Sequence, residues 1–393
     1  MNTAKHINRE ESIRSSTSHN LNILPATTYR WLKLNQLQLE IPDWDSKHSY
    51  HKEFLKNGDY DINEQNTQDI VLKKMDASLL LPNHIKASLA KKIEYGVSKE
   101  VIEECERSYN SGVFVQVGKE KTILNPIRID YALDQDNPQV TDFNLIYAEA
   151  NSKLTIIMDY SNSDNSETIH KGATQIIAKE GSEVTLVKIQ RMNDKSHHFD
   201  SIFSTVDYNA TVNYIQVELG SKNSVTNYKS ILNEAGKADL ASIYFGDGKR
   251  TIDLNYLMEH KGRRSISNIQ TKGALKDTAV KTFRGTIDFQ LGASKSEGAE
   301  EEYVILLDKK VKSNAIPLLL CSEDDVKGHH AASAGKVDKE KLFYMMSRGF
   351  CKEEALKMIV EASFLPTIEK IADHELRSII QKEIHRRLMN EKL

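Results

Sequence analysis

KLTIIMDYSNSDNSETIHKGATQIIAKEGSEVTLVKIQR, residues 153–191, is the stretch whose reading decides the fold. Leu154-Thr155-Ile156-Ile157 and Val184-Thr185-Leu186-Val187 are short runs rich in β-branched residues. Small polar clusters, Asn151-Ser152-Lys153 and Glu180-Gly181-Ser182-Glu183, stand before them. Such runs, bounded by turn residues, read as strands. The same texture spreads outward from Val113-Phe114-Val115 through Leu145-Ile146-Tyr147 and Val212-Asn213-Tyr214-Ile215 to about Leu320. No convincing 12-residue amphipathic helix interrupts it, which argues against βαβ units and with them a Rossmann fold or a TIM barrel.

Spacing narrows the choice. Apolar anchors at Leu154, Ile169, Val184, Phe199, Val212, Val225, Leu240, Ile252, Ile266 and Val280 follow one another at 12 to 15 residues. A period of about 14, or about 28 for two strands and two turns, fits a flattened β-helix whose coils bury their apolar faces by stacking. A β-sandwich with longer turns is the competing solution.

Helical patterns flank this core. Residues 70–109 read as helical, with Pro82 in the first turn of a helix carrying Ile85, Leu89 and Ile93, and Ser98 starting another. Asp338 is placed to cap a helix bearing Leu342, Phe343 and Met346 that stops at Gly349. A second helix begins near Cys351 and ends before Pro366; a third repeats Ile371, Leu376, Ile380 and Ile384. Three regions follow: 1–109, mixed and helical with a frayed first 20 residues and both tryptophans (Trp31, Trp44); 110–325, the β core; 326–393, a junction loop and a helical domain.

The 393 residues carry 53 Lys+Arg against 56 Asp+Glu, a balance that does not favour nucleic acid as a partner. No run of 18 apolar residues suggests a membrane span, and the polar start predicts no signal peptide. Cys105, Cys321 and Cys351 lie far apart, which argues against a disulfide framework and for a reducing, cytoplasmic setting. GxxxxGK[ST], HExxH and GxSxG are all absent, so no complete active site of those kinds is expected.

The densest polar constellation is Cys321, Glu323, Asp324, Asp325, His329, His330 and Ser333. Thiolate and imidazole suit iron or zinc, and carboxylates complete a mixed site. Burial of the thiol and turn capping by the acids are the plainer alternatives. Cys351 fits a helix N-cap, where the dipole would favour its thiolate; Cys105, among glutamates, is a weak nucleophile. His197, His198 and His260 read as residues of solvated turns.

The run 316–355, IPLLLCSEDDVKGHHAASAGKVDKEKLFYMMSRGFCKEEA, resembles the C-terminal signature of the SufB/SufD iron–sulfur assembly family. Its DDVK, HAASxGxVD and LFYxxSRG pieces are closer to SufD than to SufB. The resemblance implies an all-β core with helical flanks: a right-handed parallel β-helix plus a C-terminal α-helical domain. It implies a scaffold and not an enzyme, with a transient iron–sulfur cluster or iron at a subunit interface. ATP hydrolysis would belong to a SufC-type partner held by the C-terminal helices, and no nucleotide would be bound by this chain. A SufB-type subunit, or a second copy of the chain, would pair through the β-helix.

By the same resemblance His330 matches the SufD histidine implicated in holding the nascent cluster. His329 and Cys321 are weaker candidates, His330 and Cys321 being the expected metal ligands. Gly328 departs from the pattern, since many SufD chains have Cys there. A SufB-like homodimeric scaffold and a carbohydrate-active β-helix enzyme are the alternative readings.

Overall fold

A computed structural model describes residues 16–26, 28, 30–42, 50–52, 55–56, 69–75, 79–89 and 94–389. Expectations for residues 1–15, Trp44, Ile93 and most of 45–69 fall outside them.

From Val113 to Gly335 the chain winds alternately between two nine-stranded sheets. One sheet holds the strands 326–335, 296–306, 266–275, 237–246, 211–218, 183–191, 153–162, 127–133 and 55–56, in that order. The other holds 312–321, 280–289, 251–260, 223–232, 197–206, 169–178, 139–148, 113–117 and 70–74. All neighbours from Val113 onward are parallel; within these two sheets, among the described residues, only Leu55–Lys56 and Ile70–Lys74 pair antiparallel. Register partners lie from 26 residues apart (Thr211 and Lys237) to 32 (Val280 and Lys312). This is a parallel β-helix. A sandwich is ruled out because successive strands lie in opposite sheets and pair one coil away.

The turn clusters explain how each coil closes. Glu120, Asn151, Gly181, Asn209, Ala235, Arg264 and Lys295 occupy the same corner of successive coils, all with φ between 52° and 65°. Asn and Gly reach this left-handed region at least cost. Gly181 has a second reason: a Cβ there would meet the Asn151 side chain of the coil below.

The ten anchors fall on ten successive strands, Lys153–Asn162 to Val280–Phe289. Leu154, Val184, Val212, Leu240 and Ile252 face the interior. Ile169, Phe199 and Val225 instead point outward, beneath the hairpin of Ser16–Leu21 and Leu37–Pro42 and the helix α2 (Lys99–Arg107, after α1, Asn83–Leu89). Both sheet surfaces are thus partly covered, so strands read as near-continuous apolar runs and hide which face is which.

Several expectations are corrected. Residues 16–20 form a strand, held by burial of Leu21 and Ile41 against Val97, Val101 and Phe199. Within 70–109, Ile70–Lys74 is a strand paired with Val113–Val117. Pro82 precedes α1 rather than opening it, and its carbonyl accepts from the Ile85 and Lys86 amides. Residues 326–335, expected as a loop, are the last strand of the β-helix: their alternation of Gly and Ala with polar residues masks a pairing with Ser296–Leu306.

Asp338 caps α3 (Lys339–Ser347), and Gly349 follows it with φ 96°. α4 (Lys352–Ile368) runs past Pro366, which lacks the amide that would donate to the Ala362 carbonyl, and ends two residues later. α5 is His374–Leu388. Val360, Phe364, Leu376, Ile380 and Ile384 bury against Val187, Ile189, Ile215, Val217 and Ile243 on the outer face of one sheet. α3 buries none of its residues.

Candidate functional site

The coils end at Lys312–Cys321 and Val326–Gly335, each of which has, among the described residues, a strand neighbour on one side only. Side chains alternate across a strand, and register partners in a parallel pair share a face. Ala315, Pro317, Leu319 and Cys321 therefore continue the inward row of Phe283, Gly285, Ile287 and Phe289. Opposite them Gly328, His330, Ala332 and Ala334 continue the row of Gly298, Glu300, Glu302 and Val304. A Cβ on Gly328 would meet Leu319 at 2.7 Å, which fixes Gly328 opposite Leu319 and His330 opposite Pro317. A side chain at 328 would need Leu319 to move aside.

His330 thus sits on the inward row of the last coil yet remains exposed, because no further coil covers it. His329 is exposed on the alternate face of the same strand. Cys321 is exposed at the far end of its strand. Four residue steps separate it from His330 along the strand axis, about 13 Å at the usual rise. The two are not brought together within one chain, and no group of three or more His, Cys, Asp or Glu among the described residues could hold a metal. Of the acids nearby, Glu323 accepts the Gly292 amide at 2.9 Å and the Asp325 carbonyl accepts the Lys295 amide at 2.5 Å. These are turn contacts.

Sequence reasoning missed Glu300. It lies in register with His330, one coil beneath, and is 1% exposed. Neither carboxylate oxygen has a hydrogen-bond partner among the described residues. Burial, with Glu302 nearby, pushes its pKa up to about 8. Gly285 makes its room: a Cβ there would stand 2.1 Å from Glu300 Oε1. The signal was the spacing of 30 residues between Glu300 and His330, one coil length, hidden in an acidic run that reads as surface.

A second polar cluster lies deeper inside. His170 Nδ1 meets His198 Nδ1 at 2.8 Å, and His170 Nε2 meets Asp142 at 2.9 Å. Tyr160 donates to Asp142, and Lys188 to Asp200 at 2.6 Å. Burial holds both imidazoles far below their ordinary pKa, His170 at about 3. His197, His198 and His260 are buried in strands, which corrects their reading as turn residues. His260 contacts Ser265 and Ser267. Cys105 is buried under negative neighbours, with its pKa raised. Cys351 is the N-cap of α4: its sulfur accepts the Glu354 amide, and Glu354 accepts the Cys351 amide at 2.8 Å.

An open-ended β-helix that closes on a histidine, followed by three helices, can be set beside known proteins. The profile of the family described as SUF system FeS cluster assembly, SufBD core domain, matches residues 131–363, more than half of the chain. The chain is 26% identical over 288 residues to the iron–sulfur cluster assembly protein SufD of Bacillus subtilis, covering 70% of this chain and 64% of that protein. SufBD family proteins of Staphylococcus saprophyticus (26% over 269 residues) and Mycobacterium leprae (25% over 267) cover 67% of this chain each, and 57% and 30% of their own lengths. The aligned part therefore spans less than two thirds of these relatives. Coil architecture, terminal helices and the profile over the same residues agree: the chain belongs to the SufB/SufD family of iron–sulfur cluster assembly proteins.

Proposed function

We propose that this chain is a SufD-type, non-ATPase scaffold subunit on which iron–sulfur clusters are assembled in the cytoplasm before transfer to apo-proteins. The observation that carries this reading is the open last coil. Two unpaired strand edges present backbone donors and acceptors ready for another chain. They flank His330, whose imidazole is a good ligand for iron. The B. subtilis relative, named SufD, favours a partner of the SufB type at this edge. Cys321 and His329 are further donors that a second chain could complete from its side.

The helices supply the other contact. α4 and α5 are anchored on the sheet, while α3 offers Phe343, Tyr344 and Met346 to solvent. We assign α3 to a SufC-type ATPase. Movement of that partner would reach the last coil through α3 and the short link from Gly335 to Asp338, a path two residues long.

Anaerobic co-purification from the native operon, with subunit stoichiometry and iron and sulfide analysis, tests the reading. Equimolar pairing with another β-helix subunit plus an ATPase is expected. His330→Ala should keep the complex and lower its cluster content. A homodimer with the ATPase would turn the assignment to a SufB-like scaffold; a chain that recovers neither partner would overturn both.

A further inference from the structure

We propose that Glu300 is a second iron donor, its carboxylate joining the His330 imidazole to bind a ferrous ion at the open end of the β-helix. The inference rests on the assignment of His330 as a donor and extends it one coil inward. Glu300 and His330 are register partners on adjacent parallel strands and share the inward face. Parallel strands stand about 4.8 Å apart. A carboxylate and an imidazole so placed can reach one ion between them.

Three further observations favour a ligand over a structural acid. Both Glu300 oxygens lack partners among the described residues, although Glu302, two positions along the same row, takes Lys281 and Tyr244 on its Oε1. The chain makes space for the unpaired group with Gly285 opposite. It also leaves the cover thin. The last inward row of that sheet holds Gly328, Ala332 and Ala334, so His330 is the one side chain there large enough to close over the carboxylate. Rotation of the imidazole would open the path from solvent. A buried carboxyl group without a partner is costly, and a bound divalent cation supplies one. One oxygen donor and one nitrogen donor suit Fe(II) better than a soft ion that prefers thiolate. Water or a partner's side chain would complete the shell.

The test is anaerobic Fe(II) binding by the full-length chain, with Fe(II) alone as the probe, followed by equilibrium dialysis. Wild type should bind one ion per chain, undisturbed by excess Mg(II). Glu300→Gln, close to it in shape, and His330→Ala should each weaken binding at least 10-fold. Glu300→Met, uncharged and of similar volume, should do the same, and whichever variants melt cooperatively at or above the wild-type midpoint decide the matter. Wild-type affinity in Glu300→Gln or Glu300→Met, or no binding by the wild-type chain, would overturn the proposal. Subunit stoichiometry is read separately: a normal complex with unaltered Fe(II) binding in the Glu300 variants sinks this inference and leaves the scaffold assignment standing.

Discussion

Lys281 Nζ and Glu302 Oε1 meet at 2.6 Å across the interior, joining the two sheets one coil below the open end. Both side chains are fully buried. Lys281 also donates to the Asn314 carbonyl, and Tyr244 donates to Glu302 at 3.0 Å. Burial pushes the lysine down and the glutamic acid up, while each partner opposes the shift of the other. The interior of this coil is therefore held by a matched pair. Glu300 alone in its row is left without such a match.

Removing one member should be far worse than removing both. Lys281→Met leaves a buried carboxylate beside Glu300 and is expected to cost about 3–5 kcal/mol. Lys281→Met with Glu302→Leu replaces the pair by apolar volume and should recover most of that loss. Urea midpoints of the two variants check this; equal destabilisation would mean the pair is not the link between the sheets.

The deeper cluster predicts how stability varies with pH. Glu218 accepts from Gln216 at 2.8 Å and from Ser224 at 2.5 Å, and burial raises its pKa to about 8. An unfolded glutamate titrates near about 4.3. Between these values the folded chain keeps a proton that the unfolded chain has lost. Stability from this group is complete below about pH 4.3, declines as pH rises toward 8, and is flat above. The slope is at most about 1.4 kcal/mol per pH unit. Glu218→Gln removes it, so the variant should gain on wild type between pH 5 and 8 in denaturant titrations. A constant difference at the two ends would refute the assignment.

The coil period was legible because turn chemistry repeats: Asn151, Gly181 and Asn209 mark one corner and set the spacing of the anchors. Facing was not. Ile169 and Phe199 lie under α2 and the hairpin while Leu154 and Val184 lie inside, and a strand covered on both sides leaves no alternation to read. His198 and Lys188 were equally opaque, since a polar residue in a strand looks like a surface residue until its partners arrive from other coils. His330 was singled out through its neighbours in the 316–355 run. Glu300 could be found only by register, which places residues 30 apart side by side.

Cys351 provides a contrast to the open end. It is exposed, yet its sulfur is spent on the Glu354 amide as part of a reciprocal cap. Serine caps in the same way and is a better acceptor. Cys351→Ser should leave the thermal midpoint unchanged or raised, with the iron and sulfide content of the complex at the wild-type level. Loss of cluster with an unchanged midpoint would give this thiol a chemical role.

α3 supplies the last prediction. It is capped by Asp338, which accepts the Glu340 amide at 2.9 Å, and its one apolar footing is Leu342, half-buried against the cluster under α4 and α5. Phe343 is 74% exposed, and Tyr344 and Met346 of the same helix are exposed with it. Large apolar side chains gathered on one short helix mark a contact that another protein covers. Phe343→Glu should cost the isolated chain almost nothing, because the ring touches no core. It should instead abolish co-purification of the ATPase while retaining the partner at the open β-helix edge. If the ATPase stays and the edge partner is lost, the two contacts have been assigned to the wrong ends of the molecule.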